Sequence, residues 1–89
     1  MHYVYVLQSE KDNDLYVGCT NDLKERIKLH NAKKVKSTSS RTPFKIIHYE
    51  AYLNNKDAFN REKYMKNKWG RKYIKKLLSN FFISNNLSG

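Results

Sequence analysis

His2-Tyr3-Val4-Tyr5-Val6-Leu7-Gln8 and Leu15-Tyr16-Val17-Gly18-Cys19 are two short runs, β-branched or aromatic nearly throughout, separated by the polar stretch Ser9-Glu10-Lys11-Asp12-Asn13-Asp14. Branched and aromatic side chains suit a pleated strand, and a polar stretch of this length suits a turn. The three pieces predict an antiparallel hairpin. Neither run alternates apolar with polar residues, so both faces of the hairpin should be covered by helices.

Thr20 or Asn21 can cap a helix running to about Asn31, with Asp22 and Glu25 in its first turns, where the helix dipole favours carboxylates. Its apolar stripe is Leu23, Ile27 and then His30. Residues 33 to 43 are basic, rich in Ser and Thr and closed by the sole proline, which predicts a mobile surface loop. Phe44 to Leu53 read as a third strand. Asn54 or Asn55 can cap a second helix through Trp69, with Ala58, Glu62, Met65 and Trp69 on one stripe and Gly70 interrupting it. A third helix from about Arg71 to Ser79 sets Tyr73, Ile74, Leu77 and Leu78 against Lys72, Lys75 and Lys76. The order β-β-α-β-α-α predicts an α+β domain, a three-stranded antiparallel sheet flanked by helices, over residues 1–80, with 81–89 as a tail.

With 89 residues there is room for one such core. A single cysteine, Cys19, leaves no intramolecular disulfide and no cysteine-based zinc site, which suits a reducing compartment. No apolar run reaches a membrane span, and no secretory signal pattern opens the chain, so a cytoplasmic protein without membrane contact is expected. The net charge of +10 is concentrated in two blocks, +5 over residues 21–41 and +7 over residues 61–79. Clustered Lys and Arg at a pI near 9.8 point to a nucleic-acid backbone.

Two helical positions break the apolar logic around them. Glu62 is the sole carboxylate on its stripe, and a buried carboxylate needs a partner: a Lys or Arg, or a divalent metal. Arg26 and His30 are four apart and share a face, where both can act on one ligand. The guanidinium can hold a phosphate and the imidazole can move a proton; a snorkelling arginine and a core-edge histidine are the plainer reading.

Tyr3-Val4-Tyr5 on one strand, Tyr16-Val17-Gly18 on the next, Arg26 and His30 on the following helix, and Arg61-Glu62 with Trp69 and Lys72 downstream together resemble the GIY-YIG nucleases. The likeness runs from about residue 3 to 78, at a size similar to the small stand-alone bacterial branch. Tyr3 stands where the first motif has glycine, Val17 replaces isoleucine, and Cys19 stands where some members place lysine. The resemblance implies a Mg2+-dependent (or Mn2+-dependent) DNA endonuclease, with DNA repair and recombination among its settings. In it Glu62 ligates the metal and Arg26 stabilises charge on the phosphoryl oxygens. Tyr5 serves as general base, Tyr16 and His30 position or relay protons, and Gly18 allows close backbone approach. A phenol with its ordinary pKa of about 10 needs roughly 2.7 kcal/mol of help to come down by two units, from the metal and Arg26. DNA contacts are expected from Lys33, Lys34, Lys36, Arg41, Lys63, Lys66, Lys68, Arg71 and Lys72, with weak sequence preference because no base-reading module is present. A non-catalytic nucleic-acid-binding module on the same scaffold explains the charge equally well.

Overall fold

A computed structural model describes residues 1–88. The hairpin is formed by β1 (His2–Ser9) and β2 (Leu15–Thr20), and β3 (Phe44–Tyr52) pairs antiparallel with the other side of β1, giving the order β2-β1-β3. β1 is therefore the central strand, and Val4 to Ser9 are all buried. Between Val6 and Leu7 the register against β3 slips by one residue, a bulge that lets Val6 face His48 and Leu7 face Ile46.

Both faces are covered, as the lack of alternation predicts. On one, Tyr5, Leu7 and Phe44 pack with Tyr16, Leu23 and Ile27. On the other, Val4, Val6, Leu15 and Val17 pack with Ala58, Met65 and Ile74. Each fully buried side chain of this size contributes about 1.5–3 kcal/mol.

Helix α1 (Leu23–Asn31) is capped by Asp22, not by Thr20 or Asn21: the Asp22 side chain accepts from Glu25 N. A carboxylate satisfies an orphan amide and also meets the positive helix end. Thr20 instead shapes the preceding turn, its hydroxyl accepting from Asp22 N. Segment 33–43 is not a free loop. It contains a 3-10 turn at Ser39–Arg41, Thr38 is wholly buried, and Ser9 Oγ on β1 donates to the Arg41 carbonyl at 2.6 Å.

Helix α2 (Asn55–Lys66) is capped by Asn54 and stops before Trp69. Asn67 adopts extended backbone and its side chain accepts from Gly70 N, capping α3 (Lys68–Leu77). Gly70 thus lies inside α3 rather than between helices. A Cβ at Gly70 would run into the Tyr64 carbonyl, so glycine permits the close approach of α3 to the end of α2. Trp69, expected on the apolar stripe, is 67% exposed. A further helix, α4 (Ser79–Ser88), follows; Phe82 packs against the core and Lys45 Nζ lies 5.5 Å from the Phe81 ring centre.

Candidate active site

Tyr5 stands opposite Gly18 in the β1–β2 register. Its ring crosses the strand there, and a Cβ on Gly18 would collide with the Tyr5 hydroxyl. The missing side chain is what lets the phenol extend toward the β2 edge. Tyr16, two residues earlier on β2, brings its ring centre to 6.4 Å from Tyr5 and 5.0 Å from His30.

His30 is delivered to the same place by α1 and is wholly buried. The Tyr5 hydroxyl lies 2.9 Å from its Nε2 and the Thr38 hydroxyl 2.8 Å from its Nδ1, so both ring nitrogens are satisfied. Burial, followed by the neighbouring charge of Arg26, pushes His30 down to about 4, and the imidazole is neutral at neutral pH.

Arg26, one helical turn before His30, completes the cluster. Contact with the Tyr5 hydroxyl, above all, holds its guanidinium charged, with burial opposing and Tyr16 adding to the same side. Its Nε is buried and has no hydrogen-bond partner among the described residues. An orphaned donor on a cation, between two phenols, is a place for an anionic oxygen.

Tyr5 does not have the lowered pKa that a base of this kind requires. Burial raises it more than Arg26 lowers it, and Tyr16 and Glu62 add to the rise. In the protein without metal or substrate the phenol keeps its proton and is sealed from solvent.

Glu62 comes from α2, on the opposite face of the sheet, yet its charge is felt at Tyr5 and at Cys19. Its side chain is 16% exposed and its Oε2 lies 3.1 Å from Lys66 Nζ. That pair is one turn apart on a helix, with Lys66 half exposed, and is worth a few tenths of a kcal/mol. Four of the five chemistry-bearing residues therefore form one contact cluster, and Glu62 is joined to it only through its charge. A groove of about 520 Å³ between α1 and β3, lined by Tyr3, Leu23, Ile27, Ile46 and Tyr49, includes none of them.

The basic residues divide. Lys33, Lys34, Lys36, Lys63, Lys68, Arg71 and Lys72 are exposed and make no ion pair among the described residues. Arg41 is instead tied to Asp12 at 3.1 Å, bracing the hairpin turn. Lys66 is engaged by Glu62. Thr38 is the site residue that the sequence did not single out; in a run of Ser and Thr nothing marks the one that is buried.

The sequence profile described as the GIY-YIG catalytic domain matches residues 1–76. A UPF0213 protein of Clostridium perfringens is 45% identical over 67 residues, 74% of this chain and 71% of its own. Another from Bacillus pumilus is 39% identical over 72 residues, 80% of this chain and 71% of its own. The solution NMR structure of a UPF0213 protein from Bacillus halodurans superposes with a TM-score of 0.54 at 32% identity, covering 85% of this chain and 83% of that one. The hairpin with its paired tyrosines, the Arg26–His30 helix and this match over more than half its length agree: the chain belongs to the GIY-YIG family, a family of nuclease domains.

Proposed function

We propose that the protein is a divalent-metal-dependent endonuclease that hydrolyses DNA phosphodiesters with weak sequence preference. The observation that carries this reading is the buried Nε of Arg26, without a hydrogen-bond partner among the described residues, on a guanidinium that also touches Tyr5 and Tyr16. A phosphodiester oxygen would supply the acceptor that the described residues do not.

Glu62 would hold the metal. Among the described residues no group of three or more His, Cys, Asp or Glu gathers, and a lone carboxylate suits a hard ion such as Mg2+ or Mn2+ that keeps most of its waters. When bound, such an ion supplies positive charge to the phosphoryl oxygens and acidifies water. Glu62 would give up its weak bridge to Lys66 in order to hold it.

The rest of the work belongs to side chains. Arg26 binds the phosphate and neutralises the charge that builds on it. Tyr5 accepts a proton from the attacking water and passes its own to His30 Nε2. The water oxygen bonds to phosphorus as the bond to the leaving oxygen breaks, and that oxygen takes a proton from solvent. In the resting protein the transfer from Tyr5 to His30 is uphill, because burial raises the phenol above its ordinary range and holds the imidazole down to about 4. Substrate narrows the gap from His30's side. A phosphate on Arg26 cancels part of the charge that depresses His30. Tyr16, less buried, positions the phosphate.

A binding module without chemistry is the competing reading, favoured by the sealed Tyr5 and the paired Glu62. Nicking of plasmid, single-stranded and branched DNA with Mg2+ or Mn2+ separates the two, with Glu62→Ala beside the wild type. Metal-dependent cleavage that Glu62→Ala loses, with DNA binding kept, supports the nuclease. Binding without cleavage of any substrate, or equal cleavage by both proteins, supports the module.

A further inference from the structure

We infer that Thr38 is a positioning residue of this site: its hydroxyl fixes the proton of His30 on Nδ1 and leaves Nε2 bare to hold the Tyr5 hydroxyl as a donor. The tautomer follows from counting protons along a buried chain. Its consequence for cleavage rests on the nuclease reading.

The Val35 carbonyl can only accept, and the Thr38 hydroxyl, 3.3 Å away, has one proton to give it. The Thr38 oxygen then has only lone pairs to offer His30 Nδ1 at 2.8 Å, so Nδ1 carries the hydrogen. A neutral imidazole has one N–H. Nε2 is therefore an acceptor, and the group 2.9 Å from it, the Tyr5 hydroxyl, donates.

The reverse assignment fails at the far end. With the proton on Nε2, the Tyr5 hydrogen would need another acceptor. Its neighbour Arg26 can only donate, and His30 Nε2 is the one acceptor within hydrogen-bond reach of that hydroxyl among the described residues. Thr38 and His30 are both wholly buried, so bulk water does not stand in for either bond.

The position of Thr38 is itself over-determined. Thr38 N donates to the Val35 carbonyl at 3.1 Å, and the Thr38 carbonyl accepts from Arg41 N at 3.0 Å. The buried Ser9 Oγ donates to the Arg41 carbonyl at 2.6 Å and accepts from Lys11 N and Asp12 N. The end of the central strand thus clamps the turn that carries Thr38, and a segment that looks like linker holds a ring nitrogen in register.

The test is ¹⁵N NMR of imidazole-labelled protein at neutral pH, without metal or DNA, beside cleavage by the same proteins. The three histidines are assigned with His2→Gln and His48→Gln. Wild type should show Nδ1 protonated at His30, Thr38→Ser should keep that pattern, and Thr38→Val should lose it. Cleavage by Thr38→Val should fall about 10- to 100-fold in kcat with KM unchanged and a shifted pH profile, as for other groups that orient a functional histidine, and Thr38→Ser should restore it. Wild type with the proton on Nε2 overturns the inference even if Thr38→Val does not fold. So does Thr38→Val retaining both the tautomer and the pH profile. Because the spectrum needs no turnover, the predicted tautomer in a protein that cleaves nothing upholds the assignment while refuting the nuclease.

Discussion

Gly18 shows how one absent methyl group can shape a site. Gly18→Ala would place a Cβ against the Tyr5 hydroxyl, and Tyr5 cannot yield freely because His30 and Phe44 lie behind it. The substitution should cost about 1–3 kcal/mol in urea unfolding, the range for overpacking a core, and should abolish nicking while DNA affinity stays near wild type. His30 carries the pH dependence. Its folded value near 4 lies below the ordinary 6.5, so the unfolded chain binds the proton first as pH falls. The stability it contributes is complete above about 6.5 and is lost between 6.5 and 4, roughly 3 kcal/mol in all. Urea midpoints measured across that window should fall in the wild type and stay flatter in His30→Gln. At this scale the sequence was partly legible. Glu62 stood out as a carboxylate on an apolar stripe, and Arg26 and His30 shared a face. Thr38 did not stand out, because its importance comes from a partner that only the fold supplies.

At the scale of elements, strands were easier to read than helix ends. β1 and β2 declare themselves by branched and aromatic residues, and β3 ends one residue from the expected Leu53. The break between α2 and α3 falls three residues before the expected one, because Gly70 looks like a helix stop and Asn67 like a helix interior. In the fold Asn67 is a cap and Gly70 a packing contact. What fastens α2 to the sheet was not legible either. Arg61 Nε and Nη2 meet the two Glu50 carboxylate oxygens at 2.8 and 3.1 Å, Tyr52 donates to the same carboxylate at 2.6 Å, and His48 Nε2 lies 3.0 Å away. Burial works against the ionised carboxylate, but these partners hold Glu50 down to about 2. Its stabilising effect is present above about 4.5 and disappears as pH falls toward 2, a window that begins where that of His30 ends. Glu50→Gln should cost about 2 kcal/mol at neutral pH, between the values for exposed and buried pairs, with nicking at 25 °C preserved. A loss of activity greater than the loss of folded protein would show that Glu50 belongs to the site.

For the whole molecule, charge was readable from composition, though not which charges are spoken for. Of the nine cations expected on DNA, seven, Lys33, Lys34, Lys36, Lys63, Lys68, Arg71 and Lys72, are exposed and free of ion pairs among the described residues, while Arg41 and Lys66 are engaged. If all seven meet phosphates, log affinity for duplex DNA should fall with log salt at a slope of about −6. Replacing Lys68 or Lys72 by Ala should make the slope shallower by about 1, and replacing Arg41 should change it less. The sole tryptophan, Trp69, lies among these cations with Lys72 Nζ 5.1 Å from its ring centre, so its fluorescence provides the titration signal. Whether the charge serves cleavage is decided by single-turnover hydrolysis of supercoiled plasmid or branched DNA with Mg2+ or Mn2+, by wild type and by Arg26→Ala. Wild type should cut, and Arg26→Ala should be slower by roughly 10²–10³-fold, the range for removing a preorganised charge-stabilising donor, with binding little changed. No cleavage of any DNA by the wild type, or equal rates for the two proteins, would contradict a phosphodiesterase site at Arg26.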